Sequence, residues 1–204
     1  GTKRSFKSVV AAQCAALIAW SALDHGDRIG AMILGNQVEL DFRPKQRAQH
    51  VLQILKAINE CNHQLTEETP MTTSLSDGLL HLKQSMKPGT TLYIISDFYD
   101  LTEKDKAALF SLRRHNHVVA LQVFDSLERE APPPGLYPVT DGLNHGTLDT
   151  QNNNTQKSYK QAISVWQNTI EQSFKHLGIN HHQVDAGEIP FSALKVAIEQ
   201  RSVR

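Results

Sequence analysis

Two groups of oxygen-bearing side chains carry the chemistry this sequence offers. Asp97 and Asp100 follow directly on the run Thr91-Leu92-Tyr93-Ile94-Ile95-Ser96, and a hydroxyl-rich segment, Thr72-Thr73-Ser74-Leu75-Ser76, lies upstream. An apolar run of that length, bounded by Pro88-Gly89 and Asp97, reads as a central strand of a parallel sheet. Open α/β sheets bind ligands beyond the carboxyl ends of such strands, where Asp97 falls. Hydroxyl and carboxylate oxygens together form the donor set that a hard divalent cation such as magnesium selects. A plainer reading competes at each position. Asp97 is also a routine strand-ending turn residue, and Thr73 or Ser74 can cap a helix whose dipole Asp77 complements. Asp100 reads better as a turn or capping residue than as a ligand.

The elements that must position these residues follow from periodicity. Val9, Val10, Cys14, Leu17, Ile18 and Trp20 recur at near-helical spacing between about Ser5 and Leu23, and Gly26 is placed to stop that helix. Ile29–Leu34 reads as a buried strand, Gly35-Asn36 as a hairpin turn, and Val38–Phe42 as a half-exposed edge strand. Helices are expected near Gln46–Glu60 and Leu75–Met86, separated by a polar loop from Cys61 to Met71. Thr102-Glu103-Lys104-Asp105 resembles a capping signal for a helix running to about His115, and His117–Phe124 is a further strand. Pro132-Pro133-Pro134-Gly135 opens an irregular excursion in which Leu136–Val139 and Thr147–Asp149 form a small hairpin, with Asn152-Asn153-Asn154 as a polar tip. Ile163, Trp166, Ile170, Phe174 and Leu177 share one face of a long helix closed by Gly178. A strand at Ile179–Val184 and a last helix from about Pro190 complete the chain. Strands alternating with helices predict a three-layer α/β sandwich, its sheet mainly parallel with one antiparallel edge strand.

Composition narrows the function. The 204 residues suit one domain, or one domain with an insertion, and 21 basic against 21 acidic side chains leave no field that would attract nucleic acid. No apolar run approaches the ~18 residues of a membrane span. Cys14 and Cys61 form no C-x-x-C pair and read as free thiols, which points to the cytoplasm. The ten histidines lack acidic or cysteine partners at zinc-ligand spacing. Lys3, Arg4 and Lys7 read as a solvated helix start. No nucleophile elbow, phosphate loop or dinucleotide fingerprint is present.

Several segments coincide with a known pattern: Gly1-Thr2-Lys3, Lys7-Ser8, Ala11-Ala12, Ala15-Ala16-Leu17-Ile18-Ala19-Trp20 and Gly26-Asp27-Arg28-Ile29-Gly30. The order continues with Thr73-x-Leu75-x-x-x-Leu79, Ser96-Asp97-Phe98-x-Asp100, Phe124-Asp125-x-Leu127-Glu128 and Gly135-Leu136-Tyr137-Pro138. The chain resembles the domain-of-unknown-function fifty-eight family, bacterial proteins with a von Willebrand factor A-like domain. The resemblance covers nearly all of residues 1–204 and implies a single domain of that type. It also implies a metal-ion-dependent adhesion site with Thr73 and Asp97 as ligands and Mg2+ or Mn2+ as the ion; the neighbouring oxygens of Ser74 and Asp100 are secondary candidates. The family's first motif, an Asp-x-Ser-x-Ser loop after its first strand, is not in this sequence. The strand that carries it would lie between Ile29–Leu34 and Leu92–Ser96, so the resemblance implies an N-terminally incomplete domain and a re-paired or gapped sheet. Two ligands alone do not build a tight magnesium site.

The expected function is a non-catalytic protein-binding domain, and the resemblance implies a MoxR-type AAA+ ATPase as its partner. A metal-assisted hydrolase or phosphotransfer domain, with Asp97 and Asp100 holding the ion, is the alternative. A third possibility is a surface-only binder whose adhesion site is lost, with residues Pro132 to Gln156 as the natural place for partner-specific contacts.

Overall fold

Residues that are apolar on both faces of a strand can be buried only between two helical layers, and the segment His117–Phe124 is the test of that rule. The protein's structure, a computed structural model, describes residues 6–35, 38–63, 74–125, 132–140, 145–187, 190 and 194. In chain order the elements are α1 (Lys7–Asp24), β1 (Ile29–Gly35), β2 (Val38–Lys45), α2 (Ala48–His63), α3 (Leu75–Ser85), β3 (Thr91–Ser96), α4 (Glu103–Arg113), β4 (His117–Phe124), β5 (Leu136–Thr140), β6 (His145–Asp149), α5 (Asn153–Leu177) and β7 (Asn180–Asp185).

β4 lies between β3 and β7, parallel to both, with Thr91 opposite His117 and Val119 opposite Asn180 at the starts of the two ladders. Every β4 position after His117 is buried. Its side chains alternate as a pleat requires. Val119, Leu121 and Val123 pack with Val10 and Cys14 of α1. Val118 and Ala120 point the other way, into a core with Leu79, Leu109, Leu112, Ile170 and Phe174 from α3, α4 and α5. This is the expected α/β sandwich with helices on both faces of a parallel sheet.

β1 and β2 form a separate antiparallel ladder running from Ile29–Lys45 to Gly35–Val38, with an irregularity near Gly30. Ala19 of α1 and Val51 and Ile54 of α2 bury one of its faces. Leu34 on the other face touches α3, where a Cβ added at Gly78 would come within 2.7 Å of Leu34 Cδ1. Among the described residues β1 and β3 are not hydrogen-bonded to each other, although α1 packs against both. The antiparallel strand therefore extends a second ladder rather than the parallel sheet itself. β3 shows the consequence in its burial: only Ile94 is buried, against seven positions of β4.

Local signals explain most boundaries. Thr102 and Asp105 form the reciprocal capping box at the start of α4, Thr102 N–H donating to Asp105 Oδ2 at 2.7 Å and Asp105 N–H to Thr102 Oγ1 at 3.2 Å. α5 ends where Gly178 takes a left-handed conformation, φ +57, which a side chain would resist. β5 and β6 pair as the expected hairpin. One expectation is corrected. Asn152-Asn153-Asn154 is not a loop tip, because the Asn152 side chain accepts from Asn154 N–H at 2.9 Å and caps α5, whose first turn holds the other two. Asn36, most of the expected 61–71 loop and the last helix from Pro190, apart from Pro190 and Leu194, lie outside the described residues.

Phe174 is fully buried, with its ring 4.9 Å from that of Phe98 in an edge-on contact. Replacing it by alanine is expected to destabilise the fold by about 3–5 kcal/mol. Urea titration of Phe174→Ala followed by circular dichroism checks this; a midpoint equal to that of the parent would contradict the assigned core.

Candidate functional site

The turn after β3 is constrained by its backbone, its side chains and the core at once. Among the described residues Phe98 is the one non-glycine residue with positive φ, at 56°. A left-handed conformation at a bulky residue costs roughly 1–3 kcal/mol and survives only where the surroundings enforce it. Here the Phe98 ring is buried against Phe174, which offsets the cost. Side chains hold the turn as well. Phe98 N–H donates to Ser96 Oγ at 3.1 Å, and Tyr99 N–H donates to Asp97 Oδ1 at 3.2 Å. Driving Phe98 inward turns its neighbours outward. Tyr99 is 69% exposed, its ring 5.7 Å from that of Trp166 on α5, and Asp100 is exposed beside it.

Asp97 carries an ion pair across 90 residues of sequence, Lys7 Nζ donating to Asp97 Oδ2 at 3.1 Å. Lys7 opens α1, a helix with no side-chain cap at Phe6 and no acidic residue in its first turn. The Asp97 carboxylate thus meets α1 through the ammonium at the end of the Lys7 side chain. Both side chains keep a third or more of their surface, 34% and 40%, so the pair contributes only about 0–1 kcal/mol. Lys7, expected to be solvated, is instead the cation of this turn.

The sequence-derived candidates divide as follows. Asp97 sits at the end of β3 as expected. Thr73 lies outside the described residues. Ser74 caps α3: its Oγ accepts from Asp77 N–H at 3.2 Å, and its hydroxyl donates to Asp77 Oδ2 at 2.6 Å. Asp77 lies in the first turn, where its charge suits the dipole. Among the described residues no three His, Cys, Asp or Glu side chains stand close enough to hold a metal ion. Both oxygens of the Asp97 carboxylate are engaged, Oδ2 by the Lys7 ammonium and Oδ1 by the Tyr99 amide.

A second group reaches the same turn from within the sheet. Gln122 is 1% exposed in β4, and its Nε2 donates to the Asp97 carbonyl at 3.3 Å. Its Oε1 accepts from His181 Nε2 at 3.1 Å and from Gln183 Nε2 at 3.2 Å, both on β7. The His181 ring stacks on Phe174 at 4.9 Å. The side-chain amide thus ties the strained turn to β7 and, through His181, to α5.

The sequence pattern described as "Protein of unknown function DUF58" matches residues 1–169. The chain belongs to the DUF58 family. No curated protein matches it. Two solved structures share its fold at low identity. The conserved hypothetical protein BatB from Bacteroides thetaiotaomicron is 11% identical, with a TM-score of 0.50 over 94% of this chain and 89% of that one. An aerotolerance-related membrane protein from Bacteroides fragilis NCTC 9343, bearing multiple mutations to serines, is 12% identical, with a TM-score of 0.52 over 95% and 86%.

In this DUF58 chain the Gln122 group was the less legible half of the site. Its signal in the sequence is one polar residue inside the apolar run Val118-Val119-Ala120-Leu121-Gln122-Val123. A buried amide must find partners, yet nothing local says that one partner is the Asp97 carbonyl. Lys7 gave no signal, because only the fold brings it to Asp97.

Burial pushes the His181 imidazole down from 6.5 to about 4; Glu171 opposes the shift and His182 adds to it. The folded state therefore holds His181 neutral, while the unfolded chain takes up a proton as soon as pH falls below 6.5. Stability from this group is complete above pH 6.5 and is lost as pH falls towards 4. Chemical denaturation at a series of pH values should show that loss in the parent and a shallower slope in His181→Gln. Equal slopes would show that His181 does not titrate differently in the two states.

Proposed function

We propose that this DUF58 chain is a non-catalytic protein-binding domain, that its binding surface centres on the turn Ser96–Asp100, and that the partner is a MoxR-type AAA+ ATPase. One observation carries the reading: a turn fixed from within by Phe98 and Gln122 presents Tyr99 and Asp100 to solvent at the carboxyl end of a parallel strand. That is where open α/β sheets place their ligands, and a rigid exposed aromatic is the side chain that most often anchors an interface.

The resemblance to von Willebrand A-like domains supports the same surface, since Asp97 matches an adhesion-site ligand in that pattern. An oxygen-only site of that kind would take Mg2+ or Mn2+, with Thr73 as the further oxygen. No part of the binding reaction is assigned to the ion. The ATPase comes from the family resemblance.

The setting we infer is the cytoplasm. Cys14 and Cys61 are free, and burial raises the Cys14 thiol to about 11, which leaves it an inert core residue. Among the described residues no helix is long and apolar enough to cross a membrane.

Biolayer interferometry with an immobilised MoxR-type ATPase tests the proposal. The parent chain is expected to bind, and Tyr99→Ala to bind at least about tenfold more weakly, as the loss of an anchoring aromatic implies. No capture of the ATPase would remove the partner, and unchanged capture by Tyr99→Ala would remove the surface.

A further inference from the structure

An acceptor pair such as the Asp97 carboxylate draws donors, and two meet it here. The Lys7 ammonium is 3.1 Å from Oδ2. The Tyr99 amide reaches Oδ1 at 3.2 Å. A divalent ion brought to Asp97 would compete with both. It would also need close to six oxygens in octahedral array, and among the described residues no cluster of His, Cys, Asp or Glu side chains helps Asp97 to supply them.

We infer that the Lys7 ammonium is the resident cation of the Asp97 turn, and that divalent ions reach this carboxylate only by displacing it. Lys7 has two advantages as a competitor. It is carried by the same chain, so its local concentration at Asp97 is on the order of millimolar or above without any binding from solution. It is also a compact charge with three donors, which satisfies a carboxylate without an octahedral shell. The contact spans two elements, α1 and the turn after β3.

The inference deepens the binding reading above and rests on it for one consequence: the partner meets a carboxylate already neutralised from within. The ion itself can be tested without the partner. Free Mn2+ is measured by electron paramagnetic resonance during titration of the full chain, its Lys7→Met and Lys7→Arg variants, and the double variant Lys7→Met with Asp97→Asn. Thermal unfolding confirms that each is folded. Lys7→Met is expected to bind Mn2+ about two- to fivefold more tightly than the parent, the most that a half-exposed ion pair withholds. Lys7→Arg should behave as the parent, and the double variant should lose the gain. Equal binding by parent and Lys7→Met, including no binding by either, would overturn the inference, as would a gain that persists without the Asp97 carboxylate or appears in Lys7→Arg. Loss of ATPase capture, read separately, bears on the partner and leaves the ion result standing.

Discussion

The burial of Phe98 in a left-handed backbone is the constraint on which the rest of the site depends. A residue following a parallel strand can continue outward into solvent or turn back into the core. Phe98 does the second, at φ 56°, and its ring lies against Phe174 with less than a twentieth of its surface exposed. Once that ring is inside, Asp97 and Tyr99 on either side are left outside the core. The core therefore sets the geometry of the surface. Gln122 reinforces this from the central strand, holding the carbonyl of Asp97 while Lys7 holds its carboxylate. Three elements distant in sequence, α1, β4 and α5, converge on one short turn.

The same turn stands at the edge of the parallel ladder. β4 is paired on both sides and buried almost throughout, whereas β3 is paired with β4 alone among the described residues and stays half-exposed. A strand with one free side has an unpaired row of backbone donors and acceptors. Here α1 covers part of that region from one face, packing on β1, β3 and β4 together, and α3 meets Leu34 of β1 from the other. The Lys7–Asp97 pair lies where α1 begins, so the helix that covers this region is tied to the end of β3 by charge as well as by packing.

Much of this fold was legible in the sequence, and the reasons are local. The capping box Thr102–Asp105, the left-handed stop at Gly178, and the stripe of Ile170 and Phe174 each act over one or two turns of chain, so their spacing suffices to read them. Strand β4 was legible because an uninterrupted apolar run has few other fates. Asp97 was legible as a strand-ending residue at the functional end of the sheet. The remainder was not. Asn152 looked like a loop residue because Asn serves turns and caps alike, and only the helix that follows decides between them. Periodicity alone does not say which strand edges meet, so the separation of β1 and β2 from β3, β4 and β7 came only from the gapped sheet that the family resemblance implied. The partners of Asp97 depend on contacts across 90 and 25 residues of sequence, beyond any spacing rule.

The central claim is that a rigid turn, set from the core, is the surface by which this chain meets its partner. Hydrogen–deuterium exchange of the chain alone and with a MoxR-type ATPase tests it most directly, since the amides of Phe98 and Tyr99 report on the turn itself. The account predicts slower exchange in the peptide covering residues 96–100 when the ATPase is added, with the β5–β6 hairpin unchanged. Protection confined to the hairpin, or no protection anywhere on a complex known to have formed, would contradict it.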